Sequence, residues 1–210
     1  MKNKELILGI IGIVIVIGIF IAGIIMNKDD NKEVELLSGK YYAQISVKDY
    51  GDIIVELDAD NAPITVTNFV NLAKDKFYDG LTFHRIMEGF MIQGGGYDEE
   101  GNRKQADTIK GEFELNNVEN NIKHERGVIS MARTSTNFDS ASSEFFIMHA
   151  DNQYLDGGYA AFGHVISGME VVDEIATKAK PTDDNGSIKV EERPVITSIR
   201  IIDAVTTFEE

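Results

Sequence analysis

The chain has 210 residues, room for one sizeable domain and an appendage but little room for two full domains. Its 35 acidic residues outnumber 20 basic ones, for a net charge of −15; phosphate binding needs clustered Lys and Arg, which argues against nucleic acid as a partner. There is no cysteine, which excludes disulfides, thiolate metal sites, thiol nucleophiles and a lipid anchor on a processed N-terminal Cys.

Residues 1–5 form a short leader with Lys2 and Lys4, and residues 6–26 are an uninterrupted apolar run without charge. At about 1.5 Å per helical residue the run reaches the roughly 30 Å of a bilayer's hydrocarbon core. It is expected to be a transmembrane anchor. The lysines before it and the shortness of the leader favour a cytoplasmic N-terminus, and Lys28 and Lys32 after it weaken that preference. The expected location is the cell membrane, crossed once, with the folded domain extracytoplasmic. The alternative is a signal peptide and a secreted product, for which Ile21-Ala22-Gly23-Ile24 is a poor cleavage site. Residues 27–39 are mostly polar and charged and read as a linker.

From Tyr41 the pattern changes to period two. Ile45 and Val47, the turn Asp49-Tyr50-Gly51, then Ile53, Val55 and Leu57 predict a β-hairpin with one buried face. Pro63 opens a helix with Val66, Phe69, Val70 and Ala73 on one side and Lys74 and Lys76 near its C-terminus. Further strands are expected at 81–87, 90–93, 127–132, 144–148, 161–166 and 195–202. A second helix is expected near 168–178, with Met169, Val172, Ile175 and Ala176 on one side. Segments 97–121 and 180–193 read as surface loops, the latter with Pro181 and Asn185-Gly186 as turn signals. Many short strands with two helices predict a mainly β fold, a closed antiparallel barrel, because closure removes exposed edges.

The most informative stretch is Phe83-His84-Arg85-Ile86-Met87-Glu88-Gly89-Phe90-Met91-Ile92-Gln93-Gly94-Gly95-Gly96. Across a tight Glu88-Gly89 turn, Arg85, Phe90, Met91 and Gln93 can converge on one pocket with an apolar floor and a cationic rim. The glycine run lacks the Lys-Ser/Thr and helix of a phosphate loop and reads as a place of close chain approach. The four histidines have no metal-site spacing, so no metal and no cofactor is expected.

This stretch closely resembles the signature of the cyclophilin-type peptidyl-prolyl isomerases. Three further blocks follow in the family's order: Lys123 to Arg133, Ser142 to Ile147, and Tyr154 to Gly163. The resemblance covers residues 40–205 and implies an eight-stranded barrel capped by two helices. It also implies rotation about X-Pro peptide bonds with no covalent step, and proline-containing polypeptide clients. By the same resemblance Arg85 donates to the proline nitrogen, Gln93 bonds substrate backbone, and Phe90, Met91, Phe146 and Leu155 form the proline pocket. The main chain at Arg133 anchors the residue before proline, Ala132 and Thr134 line the neighbouring subsite, and Tyr159 stands at the rim where many relatives carry His.

Taken singly, Phe90, Phe146 and Leu155 would read as core residues; only the shared pattern makes them a pocket. His84 reads as a structural histidine, because rotation needs no proton abstraction. Two positions depart from the family. Glu144 replaces a usual Gln, and a carboxylate close to Arg85 could pair with it, orienting or partly quenching the guanidinium. Tyr154, in the family's substrate groove, replaces the Trp of many eukaryotic members, a bacterial style shared by Arg133 and Thr134, and implies weak binding of cyclosporin. An outward-facing isomerase assisting the folding of extracytoplasmic proteins is the expected function. The alternative is a proline-peptide-binding chaperone or scaffold with little turnover.

Overall fold

The computed structural model describes residues 35–203. Eight strands and two helices follow in the order β1 (Lys40–Val47), β2 (Gly51–Asp58), α1 (Pro63–Lys74), β3 (Leu81–Met87), β4 (Met91–Asp98), β5 (Val128–Met131), β6 (Phe145–Met148), β7 (Ala161–Ser167), α2 (Met169–Lys178) and β8 (Val195–Ile202). All neighbours pair antiparallel, and the order β1-β2-β7-β5-β6-β4-β3-β8 closes on itself. The mainly β barrel expected from the period-two pattern is therefore present. Among the described residues no helix is long and apolar enough to cross a membrane; the expected span at 6–26 lies outside them.

Alternation along the strands gives the barrel wall two kinds of row. Ile86 pairs with Ile92, Ile92 with Ile147, and Ile147 with Ile129. All four are fully buried in the main core. On the opposite face, Arg85 pairs with Gln93, Gln93 with Phe146, and Phe146 with Ser130. Beside it runs a row of Met87, Met91 and Met148. This second face carries its own small apolar cluster, with Val128, Met91, Phe146, Met148 and Ala161 buried and Phe90, Ala132, Leu155 and Tyr159 packed against it. The site therefore sits on the outside of the barrel, on β3, β4, β6 and β5.

The main core is aromatic at its centre. Phe69 of α1 lies 5.2 Å from Tyr78, 5.6 Å from Phe145 and 5.3 Å from Phe162, measured between ring centroids. Such tilted and edge-on pairs add roughly 0.5–1.5 kcal/mol each beyond the area they bury.

β4 runs on to Asp98, past the expected end at Gln93: Gly94, Gly95 and Gly96 have no side chains whose alternation could be read, yet all three lie within the strand. They also permit close approach: a Cβ on Gly94 would meet the Thr82 carbonyl at 2.8 Å, and one on Gly95 the Ser143 carbonyl at 2.7 Å. The segment 97–121 is not wholly a surface loop, since Glu112 and Phe113 are buried. α1 starts at Pro63 after Ala62, whose side chain caps nothing. Its exposed amides are met from that distant loop instead: Glu112 accepts from Ile64 N at 2.9 Å and from Thr65 N at 2.8 Å. A carboxylate at a helix N-terminus also suits the macrodipole. The chain is tied to α1 just before β1, where Leu37 N donates to Thr67 Oγ1 at 2.9 Å.

Removing the buried Glu112 carboxylate strands two amide donors. Glu112→Ala should lower unfolding free energy by about 2–4 kcal/mol in denaturant melts. A loss below about 0.5 kcal/mol would mean the loop does not hold the helix.

Candidate active site

Arg85 is fixed by its neighbours. A register shift between Phe83 and Arg85, the sign of a β-bulge, precedes it in β3, and bulges re-aim side chains. Its Nε donates to the Asn185 carbonyl at 2.7 Å and one terminal nitrogen to Gln93 Oε1 at 3.3 Å. The sulfurs of Met91 and Met87 lie 3.6 and 3.2 Å from its terminal nitrogens. Its Cζ is 5.9 Å from the centre of the Phe90 ring. Burial pulls the guanidinium somewhat below its usual pKa, opposed by Tyr159 and Asp183; a guanidinium nonetheless remains a cation at physiological pH.

The carbonyl partner comes from the loop read as a surface excursion. Asp183 Oδ1 accepts from the N–H groups of Asn185 and Ser187, both at 3.0 Å, and shapes a tight turn. The turn lies against β3, where Ile86 N donates to Gly186 O at 2.8 Å and Ile188 N to His84 O at 3.0 Å. Gly186 has φ +84, and a Cβ there would lie 2.5 Å from Met87 and 2.6 Å from the Ile86 carbonyl. Asn185 is a contact of Arg85 that sequence reasoning passed over. It acts through its backbone oxygen, so only the Asn-Gly turn signal marked it.

A cavity of about 430 Å³ is lined by Arg85, Phe90, Met91, Gln93, Ala132, Arg133, Phe146, Leu155 and Tyr159. Nine of the residues drawn from the resemblance therefore meet around one hollow. An adjoining cavity of about 170 Å³ shares Gln93, Ala132 and Arg133 and adds Thr134 and Glu144. Tyr154 is the exception. It is 100% exposed and lines neither cavity, lying beside Asp151, Asn152 and Gln153 on a separate surface. The cause is the 3₁₀ turn Gln153–Leu155, which sets successive side chains about 120° apart. With Leu155 turned in, Tyr154 points away.

Glu144 corrects a second expectation. It does not pair with Arg85. Its Oε2 accepts from Gln93 Nε2 at 3.0 Å and lies 3.5 Å from His84 Nε2. Its Oε1 is 3.9 Å from Arg103. The geometry explains why: Gln93 stands between the two charges. An ionised carboxylate only accepts, so the Gln93 amide must turn its NH₂ toward Glu144 and its oxygen toward Arg85. Glu144 therefore orients the amide and touches the guanidinium only through it. Burial would raise this carboxyl's pKa, but His84 first, then Gln93 and Arg103, hold it below the usual Glu value.

The Arg133 side chain lies over the rings of Tyr159, Phe138 and Phe113 at 4.6, 4.9 and 5.2 Å. It donates to Gly158 O at 2.8 Å and Thr134 O at 2.9 Å. Its own N–H and C=O have no partner among the described residues, which leaves them available to an extended peptide. Beneath the floor, His124 Nδ1 is 3.1 Å from Asp156 Oδ1 and Nε2 is 3.0 Å from Ser130 Oγ. This copies the order of a hydrolytic triad, yet Ser130 is fully buried and cannot attack a substrate. The His124 ring instead stacks on Phe146, with centroids 6.0 Å apart and planes 18° apart. Burial lowers the pKa of His124 against the pull of Asp156, so the neutral ring supports the pocket.

A mainly β barrel with an arginine over an apolar hollow defines a class, and comparison with known proteins agrees. The family model described as cyclophilin type peptidyl-prolyl cis-trans isomerase matches residues 42–205. A peptidyl-prolyl cis-trans isomerase of Acinetobacter baylyi is 46% identical over 161 residues, 72% of this chain and 80% of that protein. Peptidyl-prolyl cis-trans isomerase A of Dickeya dadantii is 46% identical over 132 residues, 60% of this chain and 66% of that protein. The structure of a Cryptosporidium parvum cyclophilin type isomerase, solved in the presence of the dipeptide Ala-Pro, superposes with a TM-score of 0.64 at 26% identity, covering 78% of this chain and 99% of that one. The chain belongs to the cyclophilin-type peptidyl-prolyl isomerases. It is a peptidyl-prolyl cis-trans isomerase, the activity that the resemblance implied.

Because the folded Glu144 carboxyl titrates below a free one, its stabilisation is present above the unfolded Glu range and is lost as pH falls through the lowered folded value. The stability gap between the natural protein and Glu144→Gln should therefore shrink between about pH 7 and 3 in acid-unfolding curves. A gap that stays constant would show that the carboxylate charge is not used.

Proposed function

We propose that the larger cavity binds an X-Pro segment and that Arg85 is the catalytic group. The barrier to prolyl rotation arises from resonance in the C–N bond and is near 18–20 kcal/mol. It is lowered by any group that prefers the twisted state, in which the proline nitrogen becomes pyramidal and regains a lone pair. A guanidinium is such a group: it donates to that nitrogen without a proton leaving it. Each 1.36 kcal/mol of preference for the twisted state is worth about tenfold in rate.

In this reading the proline ring rests among Phe90, Met91, Phe146 and Leu155. The free main chain at Arg133 holds the residue before proline, and the second N–H of Gln93, the one not given to Glu144, bonds substrate backbone. Ala132 and Thr134 border the upstream side chain. Tyr159 donates at the rim. Clients are proline-containing polypeptides, and Tyr154 lies too far out to supply the contact of the family's indole, so cyclosporin binding is weak. The single observation that carries the reading is the Arg85 guanidinium. It is anchored at 2.7 Å to the Asn185 carbonyl while its remaining donors border an apolar hollow.

The place of action follows from the segment ahead of the domain. The apolar run at residues 6–26 supports a single-pass anchor, with Lys2 and Lys4 on the cytoplasmic side. The domain then works outside the membrane on the end of the 27–39 linker, assisting folding of extracytoplasmic proteins. Arg133, Thr134 and Tyr154 support a bacterial style of the family.

Arg85→Ala should cut kcat/KM for an Ala-Pro peptide by about 10- to 100-fold, the worth of one charged hydrogen bond, with the melting curve preserved. Equal rates would remove Arg85 from the mechanism. For the anchor, the full chain should sediment with membranes at high salt and release an active domain when external protease cuts within 27–39; a soluble, protected protein would contradict it.

A further inference from the structure

One imidazole outside the cavity is fastened to its wall. His149 directly follows β6, and its Nδ1 lies 2.8 Å from the main-chain N of Gly89, in the turn between β3 and β4. A peptide N–H only donates, so Nδ1 is the acceptor and the neutral ring carries its proton on Nε2. That second nitrogen faces Asp173 of α2 at 3.3 Å. Asp173 takes two bonds from Arg126, at 2.7 and 2.8 Å. Arg126 completes the loop by donating to the His149 carbonyl at 2.8 Å, and Asp151 accepts its main-chain N–H at 2.7 Å. The backbone adds two bonds to the same turn: Phe90 O accepts from His149 N at 2.9 Å and from Ala150 N at 3.4 Å.

Three bonds thus hold the Glu88–Phe90 turn, and one of them depends on a proton. The two backbone bonds are indifferent to pH. A second proton on His149 would convert Nδ1 from acceptor to donor and set it against the Gly89 N–H, donor to donor. Asp173 stands on the far side of the ring, and Arg126 is bonded to both Asp173 and the His149 carbonyl. Asp151 is engaged by Arg126, and Glu88 sits on the turn itself. The turn delivers Phe90, which borders the cavity and faces Arg85.

We propose that His149 is a positioning residue whose neutral ring clamps the Glu88–Phe90 turn between β6 and α2, so that protonation loosens Phe90 and weakens substrate binding in acid. The proposal rests on the reading of Phe90 as a wall of the proline site. It makes the isomerase sensitive to acidification through a group that never touches substrate.

The test uses the full chain in detergent micelles. Exchange spectroscopy on an Ala-Pro peptide then yields KM and kcat separately from about pH 8 to 5.5, the range in which imidazoles ionise. In the natural protein KM should rise about three- to tenfold toward acid, the worth of one hydrogen bond, while kcat stays within about twofold. His149→Asn keeps an acceptor, Oδ1, near the position of Nδ1 and cannot titrate, so its KM should stay flat. His149→Phe keeps a ring without an acceptor, so its KM should be high and flat throughout. A KM in the natural protein that does not move with pH, or one that moves equally in His149→Asn, would overturn the proposal. If His149→Phe fails to fold, the Asn variant alone decides. Activity at pH 8 that ignores Arg85→Ala would instead count against the proposed catalytic reading, and that result is separate from the KM profile.

Discussion

Four isoleucines from four strands, Ile86, Ile92, Ile147 and Ile129, meet in one row inside the barrel and set the register of β3, β4, β6 and β5. Because the side-chain period of a strand is two, that inner row dictates which residues look outward. Arg85, Gln93, Phe146 and Ser130 follow from it as the adjacent outer row. A slip of one residue in β4 would bury the amide of Gln93 and expose Ile92. The cost of hiding an unpaired amide adds to that of exposing a large aliphatic chain. Hydrophobic burial in the barrel therefore aligns the polar groups of the site.

Alignment alone leaves a long arginine free to wander, and the surrounding loops restrict it. The Asp183–Ser187 turn brings a carbonyl to Nε. Glu144 turns the Gln93 amide so that its oxygen faces the guanidinium. The Asp183–Ser187 turn and the segment carrying Glu144 both lie apart in the chain from the β4 strand that carries Gln93. A cation held in this way keeps its charge and loses conformational freedom before substrate arrives, which is the condition for donors to stabilise a twisted amide without reorganising. The neighbouring aromatic groups are arranged on the same principle. The Arg133 guanidinium binds Tyr159, Phe138 and Phe113 together, and the His124 ring backs Phe146.

Side-chain periodicity made the barrel legible. All eight strands and both helices lie where alternation and helical spacing put them, and the largest discrepancy is the length of β4. Its glycines carry no pattern to read, although their small size is what lets the chain pass Thr82 and Ser143. The cavity-lining side chains were legible through their resemblance to a family. What escaped was contact made by backbone or across long separations. Asn185 works through its carbonyl, so its side-chain type says nothing of its role. Glu112 caps a helix nearly fifty residues before it in the chain. Glu144 was legible as a departure from the family that could pair with Arg85, but its place in the sequence does not show that Gln93 stands between the two. Tyr154 shares a motif with Leu155 yet faces away, since a 3₁₀ turn gives neighbouring residues different directions.

The proposed catalysis depends on a guanidinium held in place, and not on positive charge near the proline. Arg85→Lys separates the two. Lysine keeps the charge but has no planar fork with which to reach the Asn185 carbonyl, Gln93 and substrate together. Measured by exchange spectroscopy on an Ala-Pro peptide, its kcat/KM should fall to within about threefold of Arg85→Ala. A lysine variant retaining more than about half the natural activity would contradict the account.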